Sequence, residues 1–321
     1  MSASTTTADV SVKNALDLAP AGYSSKRIMY WCMRREVWEN RSIYIAPFVT
    51  AALMVLALLI IAIEATIHVQ PPSGDVGGIG GNAPLWAPYI LVATPILATG
   101  LIVAIAYCLG ALHSERRDRS ILFWKSLPVS DLITVLSKAS VPLVLIPLTS
   151  FLAAVVLQLL FFTMVLVFVP LIGAKAHLVW AGVPIGYRTI GMLWSGVPIS
   201  YLTLGMIYAL LATALWHAPI YAWFLLVGGW ARRMAFVWAL APPAALIVVE
   251  RVAFGTTHLA MMFLNRLYGV IPIAFANLTN DSVPDLTPIQ FFGDPQLWIG
   301  LAFAAIFLGA AVLMRRHRQP I

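Results

Sequence analysis

In a chain of 321 residues, 61% are hydrophobic and only 10% are charged, against roughly 45–50% and 25% in a soluble domain, and the mean hydropathy is +0.89. These figures exclude a soluble globular domain and specify a polytopic membrane protein, and its helix-length apolar segments make it all-α. The net charge of +7 then reads first as an orientation signal rather than a nucleic-acid footprint.

Residues 1–22 are rich in Ser, Thr and Ala without an apolar core of signal-peptide length, and are expected to form a disordered cytosolic tail. In Tyr23–Ser42, Ile28, Trp31, Cys32, Arg35 and Trp38 recur at helical spacing, with Arg and Glu on the other side. This predicts an amphipathic helix along the inner interface, its aromatic face in lipid and its basic residues towards phosphates. A crossing takes about 20 mostly apolar residues. Six segments meet or approach that length: Ile43–Ile67, Pro88–Leu112, Val141–Val169, Tyr201–Trp230, Met234–Phe254 and Leu297–Met314. Residues 43–314 thus form one transmembrane domain, and 315–321 a basic tail.

The segment from Gln70 to Trp86 is a Gly/Pro-rich outer loop without the Lys-Ser/Thr that a phosphate cradle needs. As one helix the third segment would extend about 44 Å, beyond a ~30 Å hydrocarbon core, so it must tilt or protrude. Pro142 and Pro147 are expected to bend it near its entry, and His217-Ala218-Pro219 to break the fourth segment in two. The second of those pieces is either part of the span or an interfacial helix. Before the last span, Leu259, Met262, Phe263, Arg266, Leu267 and Val270 mark one face of an outer helix, either plainly interfacial or a cap over an exit route.

Orientation follows from the basic residues. Six precede the first span, five lie between His113 and Ser140, Arg232 and Arg233 follow the fourth, and Arg315, Arg316 and Arg318 follow the last. The opposite side holds only Lys175, Arg188 and Arg266. Both termini are therefore expected in the cytosol. Cys32 and Cys108 then fall near the reducing face and offer no disulfide framework.

Glu64, Glu250 and Arg251 are the charges set in apolar context, and such groups are functional candidates by default. All three lie near the outer ends of their spans, where they reach water by snorkelling, and a structural role is favoured over a proton relay. The six histidines form no HExxH or His/Cys cluster, so no metal site is expected. There is no GxSxG and no GxxxxGK[ST], so the chain has no P-loop of its own.

The richest polar stretch is His113–Ser140, where Arg116, Arg117, Arg119, Lys125 and Lys138 mix with Glu115, Asp118 and Asp131 around Ile121–Trp124. Asp118 can cap a short helix from Arg119 to Ser126, Leu127-Pro128 breaks it, and Ser130 or Asp131 caps a helix that runs into the third span. The run Glu115-Arg116-Arg117-Asp118-Arg119-Ser120, followed by Leu127-Pro128-Val129-Ser130, resembles the coupling-helix segment of ABC-2-type exporter permeases. That resemblance implies a permease subunit of the bacterial inner membrane, paired with a second copy or a homologous permease and two separate ATPase subunits. Glu115, Arg116, Asp118, Arg119 and Trp124, with Leu122, Lys125, Pro128 and Asp131 around them, would be the ATPase-coupling residues. No cofactor would bind this chain; ATP and magnesium would sit on the partner. The cargo would be hydrophobic or amphipathic. Two other classes stay open: an ion-coupled secondary transporter using Glu64 and Glu250, and a non-transporting sensor or assembly subunit.

Overall fold

A chain this apolar has to pair its backbone donors and acceptors internally, and helices do so segment by segment. The computed structural model describes residues 25–68, 87–117, 129–175, 179–180, 183–184, 199–231, 233–268, 270, 275–276 and 285–317. In chain order the helices are α1 (Ser25–Glu39), α2 (Ser42–Ile67), α3 (Ala87–Ala111), α4 (His113–Arg117), α5 (Asp131–Ser140), α6 (Ile146–Lys175), α7 (Ile199–Trp230), α8 (Ala235–Phe254), α9 (His258–Tyr268), α10 (Pro288–Gly293) and α11 (Pro295–His317). Two minimal antiparallel pairs join Val179–Trp180 to Val183–Pro184 and Phe275–Ala276 to Asp285–Leu286. Six helical stretches are long and apolar enough to cross a membrane, which fits the expected multi-pass protein. The expected tail at 1–22, the glycine-rich loop and the short helix at Arg119–Ser126 lie outside the described residues.

Among these six, α7 is the most buried, and α2 and α8 are the most peripheral. α7 packs along α3 and α11, while α2, α3 and α6 pack together beside them. One core, built on Ala104, Tyr107, Cys108, Tyr221, Phe224 and Leu225, binds α3 to α7. A second, built on Ala51, Ile96, Ala153 and Leu157, binds α2, α3 and α6.

The third expected span is longer than its apolar core. α5, a π-helical stretch at Val141–Leu145 and α6 form one continuous rod. Pro142 and Pro147 each remove a backbone donor, and between them the ladder shifts to five-residue spacing, with the Ile146 N–H donating to the Val141 carbonyl. The expected bend is thus a change of helical pitch. The fourth span departs further from expectation: α7 runs unbroken through His217-Ala218-Pro219. Trp216 and His217 are buried and hydrogen-bonded to α9, so the turn that Pro219 weakens is held by its neighbours.

Two other prolines show how such gaps are closed. Pro47 cannot donate to the Ile43 carbonyl, and Thr149 Oγ1 of α6 donates to it instead at 3.0 Å. Pro243 cannot donate to the Ala239 carbonyl, which accepts from the Trp223 indole of α7 at 3.0 Å. Each replacement hydrogen bond also ties one helix to another.

The α3–α7 contact depends on one small residue. A Cβ at Gly228 would stand 2.7 Å from the Leu109 carbonyl oxygen and 3.0 Å from that of Cys108, both backbone atoms that cannot swing away. Gly228→Ala should therefore lower the thermal unfolding midpoint of the detergent-solubilised protein, at an overpacking cost of about 1–3 kcal/mol. Gly110→Ala, whose Cβ would meet nothing within 4 Å, is the control and should leave the midpoint unchanged or raise it. Equal melting of Gly228→Ala and wild type would refute the close approach.

Candidate functional site: a buried charge cluster

Where α1, α4, α5 and α11 meet, charged side chains are withdrawn from solvent. Glu36 is 2% exposed, Glu115 6%, Lys138 2% and Arg315 7%. Burying a lone ion is prohibitive, so such groups persist only with opposite charges and hydrogen bonds around them. Lys138 Nζ lies 2.8 Å from Glu36 Oε1 and 3.1 Å from Glu115 Oε1. Arg35 Nη2 reaches the same two oxygens at 3.0 and 3.2 Å. The other oxygen of Glu36 accepts from the Tyr107 hydroxyl at 2.7 Å, and that of Glu115 accepts from Arg315. Arg315 Nε also donates to Asp131 Oδ1 at 3.0 Å.

Local sequence explains why these groups point inward. Of the two caps the sequence allowed, Ser130 and Asp131, it is Ser130 that caps α5, accepting from the Ile133 N–H at 3.3 Å. Asp131 then opens α5 and Lys138 falls in its last turn, both favourable for the helix dipole. Arg315 sits near the C-terminal end of α11, again at the favourable pole. His113 begins α4 with Nδ1 3.1 Å from the Ala231 carbonyl just past α7. Arg35 is held above the ordinary arginine value: burial lowers it, but Glu36, Glu39 and Glu115 outweigh that.

Of the expected coupling residues, Glu115 and Asp131 come together on a single guanidinium, that of Arg315. Glu115 is closed off from solvent rather than displayed on a surface. Arg116 lies in α4. Asp118, Arg119, Leu122, Trp124, Lys125 and Pro128 fall outside the described residues. Sequence reading did not single out Glu36, Arg35, Lys138, Arg315 or Tyr107 as a unit. The one available signal was an acid, Glu36, set directly after Arg34 and Arg35 in the amphipathic helix. Its distant partners, Tyr107 and Lys138, lie 71 and 102 positions away.

The intramembrane candidates have separate fates. Glu64 is exposed near the end of α2, and no ion pair joins it to Arg251 among the described residues. Arg251 donates to the Gly255 carbonyl at 2.9 Å, closing the left-handed turn that ends α8. Glu250 is buried and caps α9: Oε1 accepts from Thr256 Oγ1 and the His258 N–H at 2.7 and 2.8 Å, and Oε2 from the Leu259 N–H at 2.8 Å. The other end of α9 is capped from α7, with Trp216 Nε1 donating to the Asn265 carbonyl at 3.3 Å and His217 Nε2 standing 3.2 Å from that of Leu267. Arg266 lies 4.5 Å over the Trp216 ring and donates to the Gln296 carbonyl at 3.0 Å. Its guanidinium occupies the space that a side chain at Gly300 would fill. Of the face expected on this outer helix, Leu259, Phe263, Arg266 and Leu267 are half-buried and Val270 is buried, whereas Met262 is exposed.

Two predictions follow from the cluster. Lys138→Met leaves three carboxylates, Glu36, Glu115 and Asp131, facing only two cations, Arg35 and Arg315. The expected loss is about 3–5 kcal/mol of stability, read as an earlier thermal or denaturant midpoint. Adding Glu36→Gln should recover part of it; no recovery would mean the two side chains are not coupled. The second concerns Cys32, whose thiol burial pushes up, with Arg35 only partly opposing. Because the thiolate is the nucleophile, alkylation of Cys32 should be slow at neutral pH and accelerate only above the ordinary thiol value of 9.0. Cys108, fully buried, should stay unlabelled until the protein unfolds. Rapid neutral labelling of Cys32 would contradict this environment.

Among the described residues no group of His, Cys, Asp and Glu could hold a metal ion. Comparison with protein-family models, curated proteins and solved structures finds no match for this chain.

Proposed function

We propose that this chain is the permease subunit of an ATP-driven exporter of the ABC-2 type, acting with separate ATPase subunits and a second permease copy. The observation that carries the reading is the Arg315 staple. Glu115 and Asp131, on either side of segment 116–130, are bound to one guanidinium at the end of α11. Lys138 and Arg35 extend that anchorage to α1. A force on the segment would therefore reach α1, α3, α5 and α11 together. The six apolar helices supply the transmembrane part. The lack of a P-loop in the sequence fits energy supplied by a partner. On this reading the charged end and both termini face the cytosol of a bacterium, and Asp118, Arg119 and Trp124 meet the ATPase. Glu115 serves as the fixed root of the docking segment rather than a contact.

The mechanism that follows is mechanical. Closure of the ATPases on ATP displaces segment 118–128, the ion cluster transmits the displacement, and the helices rearrange to open a path for a hydrophobic or amphipathic cargo. An ion-coupled transporter is less well supported, because Glu250 is committed as a helix cap and Glu64 sits at a helix end.

The test is affinity purification of the full chain from its native membrane, followed by ATPase assay in nanodiscs. Wild type should bring down a P-loop ATPase whose hydrolysis depends on the complex. Asp118→Arg with Arg119→Glu should uncouple that hydrolysis from transport while membrane insertion is kept. A wild-type preparation without any ATPase would refute the assignment. Normal transport by the charge-reversed variant would refute the docking segment.

A further inference from the structure

The two faces of α1 carry different chemistry. Cys32, Arg35 and Glu36 turn towards the bundle, and Glu36 and Arg35 enter the ion cluster. The opposite face carries Arg27, Tyr30, Trp31, Arg34 and Trp38, all exposed, with Trp31 at 51% and Trp38 at 68%. Positions 27, 31, 34 and 38 alternate Arg and Trp at spacings of four, three and four, which keeps them on one side of a helix. Sequence periodicity alone had grouped Trp31 and Trp38 with Cys32 and Arg35; burial separates them.

Arg34 is the centre of this face. Its guanidinium lies 5.2 Å from the Trp31 ring centroid and 4.9 Å from that of Trp38, within cation–π range of both. Arg35, Lys138 and Arg315 all have carboxylate partners; Arg34 has none within ion-pair distance among the described residues. A guanidinium held between two indoles keeps its edge N–H groups free for a bidentate anion such as phosphate. The only acid on the outer part of α1, Glu39, is taken by Arg35 at 3.1 Å.

We propose that this face binds the headgroup of an anionic phospholipid, with Arg34 on the phosphate, Trp31 and Trp38 at the glycerol and upper acyl level, and Arg27 adding charge. Two features favour a lipid over an acidic protein surface. The face leads into the exposed apolar side of α2, with Ile45, Phe48 and Val49, so it continues a surface already suited to acyl chains. Exposed indoles beside cations are also the composition of a membrane–water boundary. The inference rests on the multi-pass reading of the six helices and not on the exporter reading, so either can fail alone. Since Glu36 lies on the same helix, a bound headgroup would also stabilise the setting of α1 that the ion cluster requires.

The experiment uses the full chain, delipidated in detergent, with native mass spectrometry of binding to phosphatidylglycerol, phosphatidylcholine or inorganic phosphate. Phosphatidylglycerol should bind in preference to both alternatives. Arg34→Gln should weaken it roughly fivefold, the effect of one cation at an anionic surface, and leave phosphatidylcholine binding unchanged. Arg34→Lys should recover part of the affinity, because it keeps the charge without the fork or the stack. Arg34 is exposed and outside the cluster, so an unchanged melting point is expected as the folding control. Equal phosphatidylglycerol binding by wild type and Arg34→Gln would overturn the proposal. So would displacement of the lipid by inorganic phosphate at similar concentration, which would indicate a free-anion site. A variant that kept its lipid but lost a copurifying protein would overturn it too, assigning the face to that protein.

Discussion

A carboxylate can be withdrawn from water only where cations come to meet it, and the charged end of this protein is organised by meeting that condition for Glu36 and Glu115. No single helix could do so. Glu36 comes from α1, Glu115 from α4, Lys138 from α5 and Arg315 from α11, so each carboxylate's desolvation cost is offset by cations that other elements bring to it. Apolar packing is non-directional and leaves a helix free to rotate or slide by a turn at modest cost. Hydrogen-bonded ions are not so tolerant, since a shift of one turn moves a side chain by about 5.4 Å. The cluster thereby fixes the rotational setting of α1 and of the last turn of α11 against the bundle, a task the alanine- and leucine-rich faces of these helices cannot perform alone.

The broad architecture was legible because it is written in local quantities. Apolar runs of about twenty residues or more mark the six long helices, and the ends of five fall within a few residues of the apolar limits, whereas the third begins ten residues earlier, at Asp131. A cap at Ser130 or Asp131 was legible from the residue types, and the Ile133 N–H settles on Ser130. What sequence could not show was any pairing between distant residues. Arg315 reads as one of several basic residues in a cytosolic tail, yet it lies in the final turn of α11 and bridges Glu115 and Asp131. Lys138 reads as one more positive charge in a polar island, yet it is among the most buried cations in the described structure. Periodicity also misgrouped α1, because a face with both Trp and Cys looks continuous until burial separates the bundle side from the outer side. Pro219 misled for a related reason. Its tendency to break a helix is local, whereas the contacts of Trp216 and His217 that hold the turn come from α9, some fifty residues on.

At the opposite end the same economy of polar groups recurs, without a charge cluster among the described residues. An eleven-residue helix, α9, is too short to be stable by propensity alone. Its first amides are taken by Glu250 of α8 and its last carbonyls by Trp216 and His217 of α7. Both ring nitrogens of His217 face carbonyl oxygens, those of Thr213 and Leu267. A neutral ring can donate to only one of them. Glu250, a functional candidate on charge alone for which a structural role was favoured, has both carboxylate oxygens engaged in holding the start of α9. The proline gaps at Ile43 and Ala239 follow the same rule, each freed carbonyl being met by a side chain from the next helix.

Two rods connect these ends. α7 carries Trp216 and His217 towards α9, and its own end lies beside His113 through Ala231. α11 carries Gln296 and Gly300 against Arg266 and, near its other end, Arg315 in the ion cluster. The two helices pack along each other. The distance from Gly300 to Arg315 along α11 is roughly 22 Å at 1.5 Å per residue, most of the ~30 Å thickness of a hydrocarbon core. On the exporter reading, displacement of the docking segment acts on Arg315 directly, and a helix moves more readily as a rod than it bends. Arg266 would then feel the motion at once, because its guanidinium fills the gap left by Gly300 and stacks on Trp216 of the other rod. A glycine there is what allows α9 to be wedged between α7 and α11. Any relative sliding of those two helices would have to break the Arg266–Gln296 contact or carry α9 with it.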